Sequence, residues 1–231
     1  MKLTPRLQAI ADKVPPGSRV ADIGTDHAYI PVYLLMNHLS SNVIASDNRQ
    51  GPLLAAEETL RLFGLIQAAE LRLGDGLSVL TEEDQVGTAV IAGIGGETIC
   101  AILQEGLELV KKGVLLVLQP MTGTALVRKW LAEKGFAILQ EDIAEEEGDY
   151  YEVIVARWTG ESWAGEEKIL AIGPRLIAEK HSLLGPMLQQ RIGRLVEAAA
   201  AARKSASATA QERAEELEEQ ISWLNEVLSW L

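Results

Sequence analysis

The sequence predicts an α/β fold in which helices cover both faces of a mainly parallel sheet, followed by a pair of antiparallel helices. Short β-rich runs alternate with helical stretches over residues 1–158, which is the pattern of a doubly wound sheet. The runs VIAGI and VLLVLQP are apolar almost throughout, as expected for strands that are buried on both faces. Near the C-terminus, an apolar heptad pattern predicts a coiled coil.

The predicted elements of the sheet domain follow one another in regular order. The β-rich runs are residues 19–23, 42–46, 70–73, 88–92 and 113–119, and the helical stretches are residues 30–39, 52–63, 97–110 and 124–134. Two further runs, 136–143 and 150–158, have no helix between them and are joined by an acidic turn at 144–149. They predict a hairpin that makes the far edge of the sheet antiparallel.

The C-terminal region predicts two antiparallel helices. In the last helix, apolar residues are spaced alternately by four and three positions: Ala210, Ala214, Leu217, Ile221, Leu224, Leu228 and Leu231. A looser upstream series, interrupted by His181 and Arg191, consists of Ile177, Leu184, Leu188, Leu195, Ala198 and Ala202. Residues 205–208 predict the turn between them. We therefore expect a first domain of residues 1–160 and a helical coiled-coil domain of residues 161–231.

Charge is distributed unevenly along this C-terminal region. The whole chain has a formal net charge of −12, which argues against nucleic acid. Residues 168–204, however, hold seven basic against two acidic side chains, whereas residues 205–231 hold one basic against six acidic. A polyanion can bind such a basic segment through phosphate contacts, and the expected contacts are Arg175, Lys180, Arg191 and Arg194. The alternative is a solvated coiled-coil face whose opposite charges pair with each other.

Composition disfavours several classes of function. Cys100 is the sole cysteine, which excludes an internal disulfide and a multi-cysteine metal site. His27, His38 and His181 are too scattered to predict a metal cluster. No run of about 18 apolar residues predicts a membrane span, and the first residues do not resemble a signal peptide. We therefore expect a cytoplasmic protein without metal, monomeric or weakly dimeric through its last helix.

The turn after the first predicted strand carries the strongest chemical signal. The segment RVADIGTDHAY places Asp22 in the strand and Gly24-Thr25-Asp26-His27 at the start of a helix, where glycine and free N–H groups admit a ligand. Asp26 stands where the dinucleotide motif G-x-G-x-x-G has its second glycine. Its carboxylate would repel a pyrophosphate but suits a cationic, phosphate-free ligand such as S-adenosylmethionine. The turn therefore favours a methyltransferase over a nicotinamide-dependent reductase.

Three more predicted strands end in residues that suit the same ligand. These residues are Asp47 and Asn48 after the second strand, Gly74, Asp75 and Gly76 after the third, and Ala92, Gly93, Ile94, Gly95 and Gly96 after the fourth. Asp47 follows Gly24 by 23 residues, a spacing that suits ribose hydroxyls. Asp75 suits an adenine amine, and the glycines of the fourth set would admit a substrate base. Each motif alone is ordinary turn chemistry, so the prediction depends on their occurrence at successive strand ends.

The order of these motifs resembles the TrmK family of bacterial tRNA (adenine-22-N1)-methyltransferases. The resemblance extends to about residue 158 and is carried by RLQAIADKVPPGSRVADIGTDHAYIPVYL, ASDNRQGPLLAAEETL, RLGDGL, IAGIGGETI, LVLQPM and EEEGDYYEVIVA. It implies a Rossmann-like class I methyltransferase fold with a C-terminal coiled coil, S-adenosylmethionine as donor and tRNA as substrate. By this resemblance, Gly24 to His27 line the donor pocket, Asp47 and Asn48 its ribose side, and Asp75 and Gly76 its adenine side. Gly93 to Gly96 face the transfer site.

For the reaction that the resemblance implies, the enzyme has to orient the base and supply negative potential near the developing positive charge. No strong base is needed, because adenine N1 exposes a lone pair and requires no prior deprotonation. Enzymes that methylate exocyclic amines commonly carry Asn/Asp-Pro-Pro-aromatic at the fourth strand, whereas this chain reads AGIGG. Asp26 is the first catalytic candidate, with a helix N-cap as its alternative role. Glu97 is the second, although a helix start stabilises any carboxylate. Tyr29 is expected over the pocket, and Gln119 and Pro120 against the substrate base.

Two other functions stay open at this stage. A class I methyltransferase acting on another RNA, a protein or a small molecule fits the same strand-end motifs, although a small-molecule enzyme has little use for a basic helical arm. A donor-binding interaction protein that oligomerises through residues 210–231 is the non-enzymatic alternative. Measured turnover of methyl transfer would distinguish an enzyme from this non-enzymatic alternative.

Overall fold

Strands from the first three quarters of the chain form one seven-stranded sheet. The structure, a computed structural model, describes residues 1–161, 163–205 and 207–231. The strands are β1 (Val20–Ile23), β2 (Val43–Asp47), β3 (Ala69–Leu73), β4 (Thr88–Gly95), β5 (Leu115–Thr122), β6 (Phe136–Glu146) and β7 (Asp149–Trp158). Their order is β3-β2-β1-β4-β5-β7-β6, with β1 to β5 parallel and β7 antiparallel to both of its neighbours. The predicted parallel core with an antiparallel edge is confirmed.

Helices cover both faces of the sheet. They are α1 (Pro5–Ala11), α2 (Tyr29–Met36), α3 (Gln50–Leu62), α4 (Gly96–Glu105), α5 (Leu107–Val110), α6 (Thr124–Glu133) and α7 (Glu167–Ile172), followed by α8 (Pro174–Ala178), α9 (Leu184–Arg203) and α10 (Ala208–Leu228). Apolar residues of α1 to α3 pack on one face with Val20 and Val90. Those of α4 and α6 pack on the other with Ala21 and Leu116. Alternate residues of each strand therefore enter two separate cores, so that the sheet is doubly wound.

Several predicted boundaries are corrected by the structure. The turn of the β6–β7 hairpin is Glu147 and Gly148 rather than residues 144–149, since pairing continues to Glu146 opposite Asp149. Both turn residues have positive φ (55° and 87°), which matches the twist of a two-residue hairpin. The predicted helix 97–110 is two helices separated at Gly106. Helix α1 was not predicted, although Thr4 followed by Pro5 is a typical helix start.

The chain divides into two compact units, Met1–Arg175 and Leu176–Leu231. We expected the boundary at residues 160 and 161. The residues that follow β7 belong to the first unit because α7 packs on α6, where Lys129 Nζ lies 2.6 Å from Glu167 Oε1. The backbone N–H of Arg175 also donates to Glu141 Oε2 of β6 at 2.9 Å. Arg175 is therefore part of the sheet unit.

In the second unit, α9 and α10 pack against each other as the heptad pattern predicts. Ala214, Leu217 and Leu224 are buried, but Val227 is buried further along in place of a fully covered Leu228. On α9, Leu184 and Leu188 are buried, and Ala199 is buried instead of the expected Ala198. Leu231 follows the helix and is exposed. Within the predicted turn, Ala206 lies outside the described residues.

Among the described residues, none of the helices combines the length and the apolar character that a membrane span requires.

Candidate active site

The turn between β1 and α2 follows an unusual backbone path. Gly24 (φ 77°), Asp26 (φ 48°) and Ala28 (φ 54°) are all left-handed, a conformation that L-residues other than Asn and Asp adopt rarely. The backbone N–H groups of Gly24 and Thr25 both donate to the carbonyl oxygen of Ser46 at 2.8 Å, which ties the turn to β2. The residue that caps α2 is Ala28, and its side chain makes no capping bond. The alternative role of Asp26 as helix N-cap is therefore wrong.

Asp22 is a buried carboxyl group beneath this turn, with only 5% of the residue exposed. Thr25 Oγ1 donates to its Oδ2 at 2.7 Å. Burial raises the pKa of Asp22 from 3.8 to about 6, because the low dielectric disfavours the charged form and the Thr25 hydrogen bond opposes this only partly. Asp22 is thus an ionisable group whose desolvation is not fully compensated by the protein.

The ends of β2 and β3 form the next wall. Asp47 is buried and accepts a hydrogen bond from the backbone N–H of Arg49 at 2.9 Å. The Asn48 amide donates to Asp75 Oδ1 at 2.8 Å, so the second and third strand ends are bonded to each other. A Cβ at Gly74 would lie 2.6 Å from Val79 Cγ1, so a larger residue there would displace the Val79 side chain.

The end of β4 differs from the loop that we expected. The strand continues to Gly95, with irregular pairing around Gly93 (φ 76°) where a bulge turns the chain. Gly96 is buried, and a Cβ there would lie 2.7 Å from the carbonyl oxygen of Gly123. Gly96 therefore permits close packing of α4 against the end of β5. Of Ile94, Gly95 and Gly96, which were expected to bind the substrate, only Ile94 lines the cavity.

Gln119 lies behind this strand end and is fully buried. Its Oε1 accepts from the Gly93 backbone N–H at 3.2 Å and from Arg6 Nη1 at 2.9 Å. Its Nε2 donates to the carbonyl oxygen of Pro120 at 3.0 Å. Gln119 thus supports the β4 end and Arg6 from behind, and neither it nor the buried Pro120 lines the cavity.

Together these strand ends enclose a cavity of about 870 Å³ at the carboxyl edge of the sheet. All the residues predicted to bind the cofactor line it: Asp22, Gly24, Thr25, Asp26, His27, Tyr29, Asp47, Asn48, Gly74, Asp75, Gly76, Ala92 and Gly93. This is the volume of a small-molecule site. In an α/β sheet, the edge between β1 and β4, where the order of strands reverses, is also where ligands bind.

Carboxyl groups predominate in the cavity lining. The acidic residues are Asp22, Asp26, Asp47, Asp75, Glu105 and Glu146, against the two guanidinium groups of Arg6 and Arg49. Such a lining favours a cationic ligand and disfavours a pyrophosphate.

Aromatic rings and an exposed acid lie at the β1 turn. The rings of His27 and Tyr29 stack with centroids 5.4 Å apart and planes inclined by 14°. The Asp26 side chain is 65% exposed, and its Oδ2 lies 3.8 Å from His27 Nε2. The Asp26 carboxylate is therefore accessible to a ligand.

Other predicted residues are not brought to the cavity. Glu97 is exposed in the first turn of α4 and does not line it. Arg175 does not line it either, and Lys180, Arg191 and Arg194 belong to the second unit. Within the second unit, Lys180 Nζ donates to the carbonyl oxygens of Trp230 (3.1 Å) and Leu231 (3.3 Å). Arg203 pairs with Glu218 at 2.7 Å, so part of the opposite charge of the two helices is indeed paired.

Besides Ile23, Ile30 and Arg49, which neighbour predicted residues, two groups of lining residues were missed by the sequence reasoning. The first comes from α4: Thr98, Ala101, Ile102 and Glu105 share one helix face, as their spacing of three and four shows, and that spacing could have identified them. The second is Thr4, Arg6, Leu7 and Glu146, which come from the N-terminal segment and the β6–β7 hairpin. No local pattern marks this second group, because only tertiary packing brings it to the strand ends.

Comparison with known proteins places these features in a family. The family model for a methyltransferase domain matches residues 3–154. The tRNA (adenine(22)-N(1))-methyltransferase of Bacillus subtilis (strain 168) is 37% identical over 188 residues, which are 79% of this chain and 78% of that protein. The solved structure of B. subtilis TrmK has a TM-score of 0.86 at 31% identity, covering 98% of this chain and 99% of that one.

A structure from Streptococcus pneumoniae, described as a candidate tRNA (m1A22) methyltransferase in complex with S-adenosyl-L-methionine, is similarly close. It is 31% identical with a TM-score of 0.87 and covers 98% of this chain and 100% of that one. The two solved structures match nearly the whole length of this chain, and the B. subtilis sequence matches 79% of it. The chain therefore belongs to the TrmK family of tRNA (adenine-22-N1)-methyltransferases.

Proposed function

We propose that this chain transfers the methyl group of S-adenosylmethionine to N1 of adenine 22 in tRNA. The observation that carries the proposal is the acidic cavity at the β1–β4 edge, in a chain of the TrmK family. The B. subtilis relative is named for this reaction, and the S. pneumoniae structure holds this donor.

The residues of the cavity fit the donor. Asp47 is buried, and within the described residues its carboxylate accepts one hydrogen bond, from the backbone N–H of Arg49, whose Nε lies 3.8 Å from Oδ1. It therefore retains acceptor capacity for ribose hydroxyls. Asp75 with Gly76 suits the adenine amine. The excess of carboxyl groups matches a ligand that carries a positive sulfur and no phosphate.

The protein contributes position and potential to the reaction. Bound S-adenosylmethionine supplies a methyl group on a positively charged sulfur, and the lone pair of adenine N1 takes up methyl and charge together. No side chain has to act as a strong base. The exposed Asp26 carboxylate supplies negative potential at the cavity, where positive charge moves towards the base.

The base-binding side of the cavity is formed by Gly93, Ile94 and the aromatic pair of His27 and Tyr29. An adenine in folded tRNA has to leave its stack to reach such a cavity, at a cost of a few kcal/mol. Contacts with the tRNA backbone elsewhere on the protein offset this cost. We assign those contacts to the basic helix α9. We also assign the protein to the cytoplasm, as a monomer or a weak dimer through its last helix.

The test is methyl transfer from labelled S-adenosylmethionine to an unmodified bacterial tRNA transcript, with the modified position mapped. A transcript in which adenine 22 is replaced by guanine is the matched control. We expect N1-methyladenosine at position 22 and no label in the control. Donor binding without transfer to tRNA would instead reject this substrate and direct attention to another RNA, a protein or a small molecule.

The role of α9 has its own test. Arg191 is exposed on α9, and it forms no ion pair with any of the described residues. We expect Arg191→Gln to weaken tRNA binding and to lower the slope of log affinity against log salt concentration by about one, as the loss of one phosphate contact does. Arg213→Gln is the control, because Arg213 is exposed on the acidic helix α10 and pairs with Glu216 at 2.8 Å. Equal salt slopes for both variants would contradict the role of α9.

A further inference from the structure

The Glu146 side chain reaches the cavity from the hairpin at the far edge of the sheet. It is half-buried, and among the described residues of β6 and β7 it alone lines the cavity. The hairpin pairs with β5 over residues 154–156 and extends past this pairing towards its turn at Glu147 and Gly148. Glu146 is the last paired residue of β6, opposite Asp149, so the register of the hairpin determines where its carboxylate lies.

One oxygen of the Glu146 carboxylate is hydrogen-bonded and the other is available. Oε2 accepts the backbone N–H of Arg6 at 2.9 Å, which fixes the orientation of the group. Within the described residues, Oε1 accepts no hydrogen bond and the carboxylate forms no ion pair. A half-buried carboxylate in this state is costly unless a ligand supplies the missing donor. This position therefore suits a ligand N–H group that carries partial positive charge.

The strand order indicates which ligand reaches Glu146. Asp47, which suits the ribose of the donor, ends β2, and four strands separate β2 from β6 in the sheet. Glu146 is instead linked through Arg6 to the end of β4. Arg6 Nη1 donates to Gln119 Oε1, which also accepts the Gly93 N–H. Gly93 belongs to the base-binding side of the cavity, so the target base is the ligand that approaches Glu146.

Adenine presents a suitable N–H group beside its reacting atom. The N6 amine is attached to the carbon next to N1, and once N1 gains a methyl group the positive charge is shared with N6. The N6–H groups therefore become stronger donors as the reaction proceeds, and a carboxylate that accepts one of them stabilises the transition state more than the substrate. Guanine has a carbonyl oxygen at this position, which a carboxylate repels.

We propose that Glu146 Oε1 accepts a hydrogen bond from the N6 amine of the target adenine and thereby selects adenine as the base to be methylated. The inference rests on the proposed methylation of adenine N1. The ammonium group of the donor is the other positively charged N–H donor, but the end of β1 already offers it the carboxylates of Asp22 and Asp26. Among the described residues, Glu146 supplies the sole carboxylate that lines the cavity from β4, β5 or the hairpin.

Methyl transfer to two tRNA transcripts tests the proposal. One has adenosine at position 22, and the other has purine riboside, which keeps the N1 lone pair and lacks the N6 amine. In Glu146→Gln, the amide oxygen is the side-chain atom that can accept the Arg6 N–H, so the amide NH₂ points towards the base. We expect this variant to lower kcat/KM for the adenosine transcript by about 10- to 100-fold, the range for a hydrogen bond to a charged group.

For the purine riboside transcript, the same variant should change kcat/KM by less than about twofold, because the lost contact does not exist there. The different intrinsic reactivity of the two bases cancels when the two proteins are compared. Glu146→Asp keeps the charge but shortens the side chain, and it should lose part of the preference for adenosine. An unchanged preference in both variants, or equal losses with both transcripts, would overturn the proposal.

Glu145→Gln is the matched control, because Glu145 is exposed on the same strand and accepts the Gly148 N–H, which a glutamine can also accept. It should change neither rate. Calorimetric titration with S-adenosylhomocysteine should give the same affinity for wild type and Glu146→Gln within about twofold. A tenfold or larger loss, on the order of 1.4 kcal/mol, would overturn the proposal in favour of a contact with the ammonium group of the donor. Absence of transfer to the adenosine transcript by the wild type would overturn the proposed function itself.

Discussion

Charged groups are arranged in opposite ways at two places in the sheet unit. At the first, Arg128 of α6 is fully buried, with its Nε 2.6 Å from Glu141 Oε1 and its Nη2 2.6 Å from Glu152 Oε2. Its Nη1 donates to the carbonyl oxygen of Ala171 at 3.3 Å. At the second, the cavity, Asp22 is buried with one side-chain donor and Arg6 has no ion pair among the described residues. We call the first set, Arg128, Glu141 and Glu152, the junction triad.

Burial shifts the pKa of a charged group in one direction when the group has no charged partner, and partners of opposite charge can reverse that shift. Burial lowers the pKa of Arg128, but the carboxylates of Glu152 and Glu141 overcome this and raise it above its ordinary value. At Asp22, burial outweighs the Thr25 hydrogen bond and raises the pKa, which favours the uncharged carboxyl group. A completed set of charges holds α6, α7 and the hairpin together. An incomplete set is a cost to stability that a ligand of matching charge can relieve.

The largest expected effect is at the junction triad. Arg128→Met leaves the buried Glu141 and the partly buried Glu152 carboxylates without their cation, and we expect the free energy of unfolding to fall by about 3–5 kcal/mol. Urea denaturation measures it. Adding Glu141→Gln removes one of the stranded charges and should recover part of the loss. A loss below about 1 kcal/mol in the single variant would show that the triad does not differ from a surface pair.

The next largest effect is expected at Asp22, where replacing the buried carboxyl group should stabilise the protein at neutral pH. Because its pKa is raised from 3.8 to about 6, the folded state binds the proton more tightly, and the stability this gives is complete below about pH 4 and lost as pH rises through 6. The wild type should therefore lose about 2 kcal/mol relative to Asp22→Asn between pH 4 and pH 7. Urea denaturation at intervals across this range measures the difference. A difference that does not depend on pH would contradict the raised pKa.

The third effect concerns activity. Asp26→Asn removes the carboxylate while asparagine tolerates the left-handed backbone at this position, so we expect the free energy of unfolding to stay unchanged. The rate constant kcat for tRNA methylation should fall about 100-fold, as it does when one preorganised electrostatic contact is lost. Glu97→Gln is the companion variant, because Glu97 is exposed outside the cavity. A similar loss in both variants, or near-normal turnover in Asp26→Asn, would remove Asp26 from the reaction.

The strand-end residues were predictable because the topology of a parallel sheet determines where they lie. Carboxyl ends of parallel strands meet at one edge, so Asp22, Asp47 and Asp75 come together from their positions in the chain alone. The triad partner Arg128, by contrast, carries no sequence signal of burial, since a charged residue in an amphipathic helix is expected on the exposed face. Its burial depends on carboxylates that the hairpin and α7 bring from elsewhere.

Arg6, Gln119 and Glu146 were unpredictable as a group for a similar reason. They come from a short N-terminal helix, a central strand and the edge hairpin, and their contacts with one another are long-range. Gln119 was expected to contact the substrate and instead supports the β4 end from behind. The continuation of β4 explains this, because the strand pairs with β5 as far as Gly95 and the Gly93 N–H donates to Gln119 Oε1, which holds the amide against the strand end.

The tight turn at Glu147 and Gly148 has a consequence for tolerance of insertions and deletions. Glu146 is the last paired residue of β6, opposite Asp149, and its carboxylate reaches Arg6 from there. Successive side chains of a strand point to opposite faces, so a length change of one residue that slipped the pairing would turn Glu146 away from the cavity and present its neighbour. A surface loop of this kind ordinarily accepts added residues freely. Here the length of an exposed turn is constrained by the cavity that the side chain of Glu146 lines.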